Sequence, residues 1–255
     1  MPASVAMKGK AWTLSRLMAT RPVAVAVYVL IVGLIIYLAY DGSRAMGYNW
    51  QWYRVPRYFF RFTNDGFELG EIPIGLLGTL AITGASFVVA LLLGLGVALL
   101  RLSSLVVGRA VAIGYLEIVR NIPLLVLLYL FYYVIGPIFG LDRFSASIAC
   151  LGAFHAATIS EIFRAGINAV SPGQWEASHS IGMTDGQIYR YIVLPQSVPF
   201  VLPPMTNEIV GLVKSSAIVS VIAVAELTTI GRNIISNTYM SFEIWFTIAA
   251  VYMAV

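Results

Sequence analysis

The sequence is poor in charged residues, and this scarcity excludes several classes of protein. Charged residues make up 11% of the 255 residues, whereas hydrophobic residues make up 59%. A soluble domain carries about 25% charged residues, because its surface must face water. The chain is therefore not a soluble enzyme, a disordered chain or a disulfide-stapled secreted domain, and its surroundings must be lipid.

Residues that carry chemistry are equally scarce. Cys150 is the single cysteine, so the chain forms neither an intrachain disulfide nor a thiolate cage for a metal. The sequence contains no G-x-x-x-x-G-K-[ST] phosphate-binding loop, no H-E-x-x-H pair and no G-x-S-x-G nucleophile. We therefore predict no catalytic residue, no metal site and no cofactor bound by this chain. The net charge of +4 is too small to indicate a nucleic acid as a partner.

Long apolar runs dominate the chain instead. A membrane helix needs about 20 mostly apolar residues to cross the bilayer. Runs of about this length are found at Pro22–Tyr40, Ile72–Leu100, Val111–Phe139, Phe144–Ser160 and Val198–Ala225. A sixth run, Phe242–Val255, is shorter, and we expect it to be a truncated last span. The runs exceed the ~10 residues of a barrel strand, so the predicted fold is an all-α, polytopic membrane helical bundle.

The N-terminal tail indicates how the chain lies in the membrane. It carries Lys8, Lys10, Arg16 and Arg21 without an acidic residue, which predicts a cytoplasmic N-terminus. Alternation of the spans then places eight basic residues inside and six outside, so the orientation depends mainly on the tail. The first run has 19 residues, more than the apolar stretch of a signal peptide, and is predicted to be a retained anchor.

The segment Trp50–Phe62 interleaves arginines with aromatic residues. Such a pattern is found where proteins stack and bind single-stranded nucleic acid, but it is also typical of the belt at a membrane interface. The segment lies between two predicted spans, which favours the belt and the lipid bilayer as its partner. We therefore predict that residues 1–71 form the tail, the anchor helix and an outer interfacial segment.

One long polar stretch, Glu161–Pro195, lies on the predicted inner side. Its capping signals predict a helix over Gly173–Ile181 that ends at Gly182, a residue free to take the left-handed conformation. Thr184 then begins a capping box with the glutamine three residues later, which predicts a second short helix. We expect Pro195 to stop that helix, so that both helices lie along the membrane.

The residues of this loop resemble those of a known family. The EAA loop of ABC importer permeases has the pattern EAA-x3-G-x9-I-x-LP, and the spacing agrees at every position, with serine in place of the second alanine. The matching residues are Glu176, Ala177, Ser178, Gly182, Ile192, Leu194 and Pro195. The stretches Tyr115–Pro123, Ala157–Gly173 and Leu202–Val221 are similar to the polar amino acid uptake branch, especially its glutamate/aspartate and general amino acid members.

The resemblance implies a fold, partners and a location. It covers residues 72–255, which it identifies as a transmembrane domain of the type I ABC importer kind in a bacterial inner membrane. The implied partners are a second permease subunit, the same or homologous, two ATP-binding subunits that hold ATP and Mg²⁺, and an extracytoplasmic solute-binding protein. Residues 171–195 would then couple to an ATPase, with Trp175 as an apolar anchor. The alternative is that this loop merely forms interfacial amphipathic helices.

Polar side chains interrupt the fifth apolar run. They are Asn207, Glu208, Lys214, Ser215 and Ser216. Ionisable residues within a membrane are functional candidates, because burying one without a partner costs several kcal/mol. We predict that they line the substrate path, where Lys214 would attract a carboxylate and favour acidic or amide amino acids. Alternatively, Lys214 binds the carbonyls at the C-terminus of a helix, or Glu208 of the partner subunit. Prolines at 199, 203 and 204 predict a bent or broken segment.

Three further charged features lie near the ends or the middle of the predicted spans. Glu117 with Arg120, and Glu161 with Arg164, are spaced to form ion pairs within a helix, either as neutralised charges at the membrane edge or as part of an inner gate. His155 lies in the middle of a span, where it could bond a neighbouring helix. With Glu161 it could instead relay protons, so the alternative function is a proton-coupled secondary amino acid carrier.

Overall fold

The computed structural model describes residues 21–63 and 66–255. These residues form nine labelled helices, one short 3-10 helix and one two-stranded hairpin. We label the helices α1 Arg21–Ala45, α2 Glu71–Leu102, α3 Val106–Asn121, α4 Leu124–Phe139, α5 Arg143–Asn168, α6 Pro172–Ser180, α7 Asp185–Ile222, α8 Leu227–Thr238 and α9 Ser241–Ala254. The predicted all-α class is confirmed.

Within the described residues, four helices are long and apolar enough to cross a membrane, namely α1, α2, α5 and α7. Helices α3 and α4 satisfy the same test only together, and they are bent by 108° where they meet. The prediction of one continuous span over Val111–Phe139 is therefore wrong. Pro123 is the physical reason, because the residue before a proline is disfavoured in the helical region, and Ile122 accordingly has an extended conformation.

The described residues fall into two compact units, one ending at Trp50 and one running from Gln51 to Val255. In the first unit, α1 is longer than the predicted Pro22–Tyr40, and most of its large apolar side chains are exposed. The boundary differs from the predicted division at residue 71, because the outer segment packs within the second unit. Val55 and Tyr58 are buried in one cluster with residues of α8 and α9.

The outer segment has local structure that the aromatic pattern did not predict. Residues Trp52–Tyr58 form a 3-10 helix, and strands β1 Phe60–Thr63 and β2 Gly66–Leu69 form an antiparallel hairpin. The hairpin leads into α2 through Gly70, which is buried against the turn that precedes β1. A Cβ atom at Gly70 would lie 2.1 Å from the carbonyl oxygen of Tyr58, so only glycine fits there.

Helices α2, α5 and α7 form the centre of the second unit, and small residues let them approach closely. A Cβ atom on Gly152 of α5 would lie 2.6 Å from the side chain of Val89 in α2. A Cβ atom on Gly166 of α5 would lie 2.3 Å from the side chain of Val201 in α7. These contacts hold the polar residues of α5 and α7 at fixed positions relative to each other.

Helix α7 is continuous where the sequence predicts interruptions. Pro195 does not stop it, because a π-helical turn over Tyr189–Val193 precedes the proline, which then falls in the first turn of the α-helical part that begins at Leu194. A missing N–H is tolerated in a first turn. The predicted break at prolines 199, 203 and 204 is also wrong, since the α-helix runs through them to Ser216 and becomes a 3-10 helix at Ala217–Ile222.

Asp142 directly precedes α5 and caps the N-terminus of this helix. Its Oδ1 accepts a hydrogen bond of 2.9 Å from the backbone N–H of Ser145. Hydrogen bonds from the side chain and the backbone of Ser145 lower the pKa of the Asp142 carboxyl below its usual range. Asp142 is thus the N-cap residue of α5, because its carboxylate accepts a hydrogen bond from a backbone N–H that has no partner within the helix.

Candidate functional site

The segment 171–195 folds into a helical hairpin whose second arm is the beginning of α7. Gly182 has φ +80, and its N–H donates to the carbonyl of His179 at 2.9 Å. The predicted helix and reversal are found, although α6 begins at Pro172 and ends at Ser180. The backbone N–H of Thr184 donates to Oε1 of Gln187 at 2.9 Å, as the capping box predicts.

Two residues of the matched pattern hold the hairpin together. Trp175 packs edge-on against Tyr189 with ring centroids 5.1 Å apart, and it joins the apolar cluster beneath α6. Ser178 is buried, and its hydroxyl donates to the carbonyl of Gln174 at 2.6 Å. Trp175 is half-buried and also lines a groove beside α6, so its role as an apolar anchor for a partner stays a prediction. Ile192 is half-buried on the same side.

The other matched residues form an exposed surface. They are Glu176, Ala177, Gly182, Leu194 and Pro195. Ile181 is 78% exposed at the tip of the hairpin, which makes it the large apolar side chain most available there among those described. A groove of about 350 Å³ runs beside α6 and is lined on one side by Glu176 and Pro172. The hairpin therefore offers a partner one acidic group, one apolar group and a groove.

Helix α7 has an exposed face and a buried face within the part that could cross the membrane, and the exposed face carries polar side chains among apolar ones such as Val210. Asn207 and Lys214 are seven residues apart, so they share one face, and both are exposed. Lys214 makes no hydrogen bond or ion pair with the described residues. Glu208 and Ser215 are half-buried at the border of the two faces. Ser216 is buried, and its hydroxyl donates to the carbonyl of Val213 at 2.7 Å, so among the described residues it is turned away from the exposed face.

Glu208 has a partner on α5 that the sequence did not predict. Its Oε1 lies 2.6 Å from Nδ1 of His155, fifty-three residues earlier in the chain. His155 was predicted to bond a neighbouring helix, and it does so. The side chain of His155 is 5% exposed and that of Glu208 is 17% exposed, so both belong to the α5–α7 interface.

Glu161 contacts arginines from three helices. Arg101 of α2 donates to its Oε1, Arg164 of α5 lies 2.9 Å from its Oε2, and Arg120 of α3 lies 3.7 Å from its Oε1. The predicted pair within α5 is formed. The predicted pair of Glu117 with Arg120 is not, because Arg120 reaches Glu161 instead and Glu117 accepts a hydrogen bond from Asn121, four residues on.

Sequence reasoning missed three residues that fix the arrangement. Arg101 pairs with Glu161, a residue sixty positions further along the chain. Glu226 is fully buried and accepts hydrogen bonds from the backbone at the start of α8. Glu243 is fully buried in α9 and accepts from the backbone N–H of Gln51 at 2.5 Å. Only the position of Glu226 before a helix gave a local signal, and glutamate is not a preferred cap.

Comparison with known proteins agrees with the hairpin and with the helical bundle. Residues 90–255 match the family described as binding-protein-dependent transport system inner membrane component. The probable glutamine ABC transporter permease protein GlnM of Bacillus subtilis is 36% identical over 180 residues, which cover 70% of this chain and 81% of that protein. The glutamate/aspartate import permease protein GltJ of Escherichia coli K12 is 30% identical over 201 residues, covering 73% and 82%.

Similarity to a solved structure supports the same family. The crystal structure of an amino acid ABC transporter with histidines aligns with a TM-score of 0.67 and 41% identity, over 72% of this chain and 86% of that one. The helices around this exposed hairpin are thus those of a type I ABC importer permease, a membrane-spanning transporter subunit rather than an enzyme. The chain belongs to the family of binding-protein-dependent transport system inner membrane components, in the branch of amino acid ABC transporter permeases.

Proposed function

We propose that this chain imports an amino acid by forming a translocation path with a second permease subunit, while two ATP-binding subunits move it through α6. The observation that carries the proposal is the hairpin of residues 171–195. Its exposed tip offers a docking surface, and its inner residues join that surface to a helix long enough to cross the membrane. ATP and Mg²⁺ would be held by the partner subunits.

The hairpin is built to transmit force. The turn between α6 and α7 is short, and its left-handed residue is Gly182. The packing of Trp175 on Tyr189 links the two arms on their inner side. Because α7 continues without a break to Ser216, a displacement of α6 would shift the whole helix that carries Asn207 and Lys214. A flexible loop in this place would absorb the displacement instead.

The exposed polar face of α7 supports a second permease subunit. Asn207 and Lys214 lie in a helix that could cross the membrane, and an ionised lysine facing hydrocarbon costs several kcal/mol. A second subunit facing this helix would replace lipid by a path that holds water and substrate. The extracytoplasmic solute-binding protein would deliver substrate to the end opposite α6, with the N-terminus in the cytoplasm.

An acidic or amide amino acid is the substrate class that we propose. Lys214 is an exposed cation without a partner among the described residues, so it is available to a carboxylate. The printed names of two relatives, glutamine permease and glutamate/aspartate permease, are in keeping with such substrates. Glu208 would not oppose an acidic substrate strongly, because its carboxylate is held by His155.

The experiment is ATP-driven uptake in vesicles that contain the complete complex, assayed with a panel of labelled amino acids. Gly182→Val should abolish uptake and loosen the ATP-binding subunits, because a β-branched residue is strained at φ +80. Gly96→Ala is the matched control, since a Cβ atom there meets nothing within 4 Å. Uptake that needs no ATP-binding subunit and collapses with a protonophore would instead support the proton-coupled carrier.

A further inference from the structure

The contact between His155 and Glu208 is not explained by helix packing alone. Two polar side chains meet at 2.6 Å inside an interface whose neighbouring residues, such as Ala156 and Met205, are apolar and buried. Two apolar residues of similar volume would pack as well, because replacing a buried polar pair in this way is often neutral or stabilising. The pair therefore calls for a functional reason.

The hydrogen bonds indicate how the pair is arranged. Nε2 of His155 is buried and has no hydrogen-bond partner among the described residues. A protonated ring would leave a charged N–H unpaired there, which is far more costly than an unpaired lone pair. The unpaired Nε2 therefore carries the lone pair, and Nδ1–H donates to Oε1 of Glu208. His155 restrains the carboxylate without neutralising its charge.

Glu208 lies at the border of the exposed face of α7. Pro204, Gly211 and Ser215 share this border and are half-buried like Glu208, whereas Met205 and Leu212 are buried. A change of rotamer would carry the carboxylate from α5 toward the exposed face on which Asn207 and Lys214 lie. One hydrogen bond from His155 opposes that change.

We propose that His155 sets the charge preference of the transport path: by holding Glu208 against α5, it keeps this carboxylate from binding the side chains of cationic amino acids. The inference rests on the proposed function, since it assumes that the exposed face of α7 borders the path. His155 is a specificity-determining residue that acts through Glu208. Lys214 then remains the charge that faces the substrate.

The test compares the binding of radiolabelled L-arginine and L-glutamine to the complex of permease and ATP-binding subunits in nanodiscs. The solute-binding protein is left out, so that only the transmembrane path selects. His155→Leu keeps the side-chain volume but removes the donor, and it should raise the arginine-to-glutamine ratio about tenfold, because a freed carboxylate gains an ionic partner. His155→Asn keeps a donor and should retain the wild-type ratio.

Two further variants separate this role from packing. His155→Leu combined with Glu208→Gln should return the ratio to that of the wild type, because no carboxylate remains to be freed. Leu151→Ala removes a fully buried side chain one turn earlier in α5, so it should lower the unfolding temperature without changing the ratio. If His155→Leu does not assemble, His155→Ala in the same assay replaces it.

The outcomes distinguish the two proposals. Wild-type uptake of amino acids with the same ratio in His155→Leu as in wild type would overturn the role of His155 and leave the proposed function standing. A higher ratio that persists in the double variant would also overturn it, because the cation would then bind elsewhere. A wild-type complex that takes up no amino acid would overturn the proposed function and this inference together.

Discussion

Two carboxylates in the bundle have opposite surroundings. Glu161, at the end of α5 nearer to α6, contacts arginines from α2, α3 and α5. Glu208, in α7, contacts the single histidine of α5. Each side chain is partly exposed, at 27% and 17%, so burial does not separate them. What separates them is the charge of their partners.

This difference indicates two kinds of role. One carboxylate among three guanidinium groups leaves an excess of positive charge, so its removal would leave cations facing one another across three helices. One carboxylate beside a neutral imidazole can be withdrawn with the loss of a single hydrogen bond, worth about 1–3 kcal/mol when an ion is involved. We infer that Glu161 fixes the positions of the three helices at this end, whereas Glu208 can move.

Glu161→Gln should have the largest effect of the changes considered. The amide keeps the shape of the side chain but removes the charge that holds Arg101, Arg120 and Arg164 together. We expect uptake to fall about a hundredfold, because uncompensated partly buried charges cost several kcal/mol. The measurement is the initial rate of ATP-driven uptake in vesicles, normalised to the amount of assembled complex.

Glu117→Gln is the control for this change. Glu117 is exposed and bonds only to Asn121 of its own helix, so uptake should stay within about twofold of wild type. If Glu117→Gln and Glu161→Gln reduced uptake equally, the loss would not depend on the contacts with the three arginines. The comparison of Glu161 with Glu208 would then have no support.

Exchanging Glu161 with Arg164 tests whether Glu161 acts through Arg164 alone or through all three arginines. If only the pair within α5 mattered, the double variant E161R/R164E would restore uptake. The structure predicts that uptake stays about tenfold below wild type, because the new arginine would face Arg101 and Arg120. Full recovery in the vesicle assay would mean that only the ion pair of Glu161 with Arg164, which the sequence predicts, matters for uptake.

Local signals in the sequence predicted the hairpin and the apolar spans well, but they predicted contacts between distant residues poorly. The reversal within residues 171–195 could be predicted because a glycine and a capping box act within a few residues of themselves, whereas Pro195 does not stop the second helix as predicted. The apolar spans could be predicted from composition for a similar reason. Neither kind of signal reports the direction of a side chain, so the contact of Trp175 with Tyr189 could not be predicted.

Contacts between distant residues could not be predicted in the same way. The pairing of Arg101 with Glu161 spans sixty residues, and that of His155 with Glu208 spans fifty-three. Such pairs depend on how α2, α5 and α7 approach one another, which the positions of Gly152 and Gly166 determine in three dimensions. The break at Ile122 had a local signal in Pro123, but a long apolar run concealed it.

Lys214→Met should have an intermediate effect. The methionine keeps an unbranched chain and removes the exposed cation of α7, so an acidic substrate would lose an attractive charge in the path. We expect uptake of glutamate to fall about fivefold, with a smaller effect on glutamine, because the loss concerns a partly hydrated charge. Competition between the two labelled amino acids measures this difference directly. Unchanged uptake and preference would remove Lys214 from the path.

Glu208→Gln should have the smallest effect, which makes it the sharpest counterpart of Glu161→Gln. The chemical change is the same at both positions, but the partner differs. A glutamine at 208 can still accept the hydrogen bond from Nδ1–H of His155, so the contact between α5 and α7 survives without the charge. We expect uptake to fall by no more than about threefold, since a neutral hydrogen bond is weaker than a charge-assisted one. A loss as large as that of Glu161→Gln would mean that the charge of Glu208 is itself required, and that a neutral partner is not enough to make a carboxylate dispensable in this bundle.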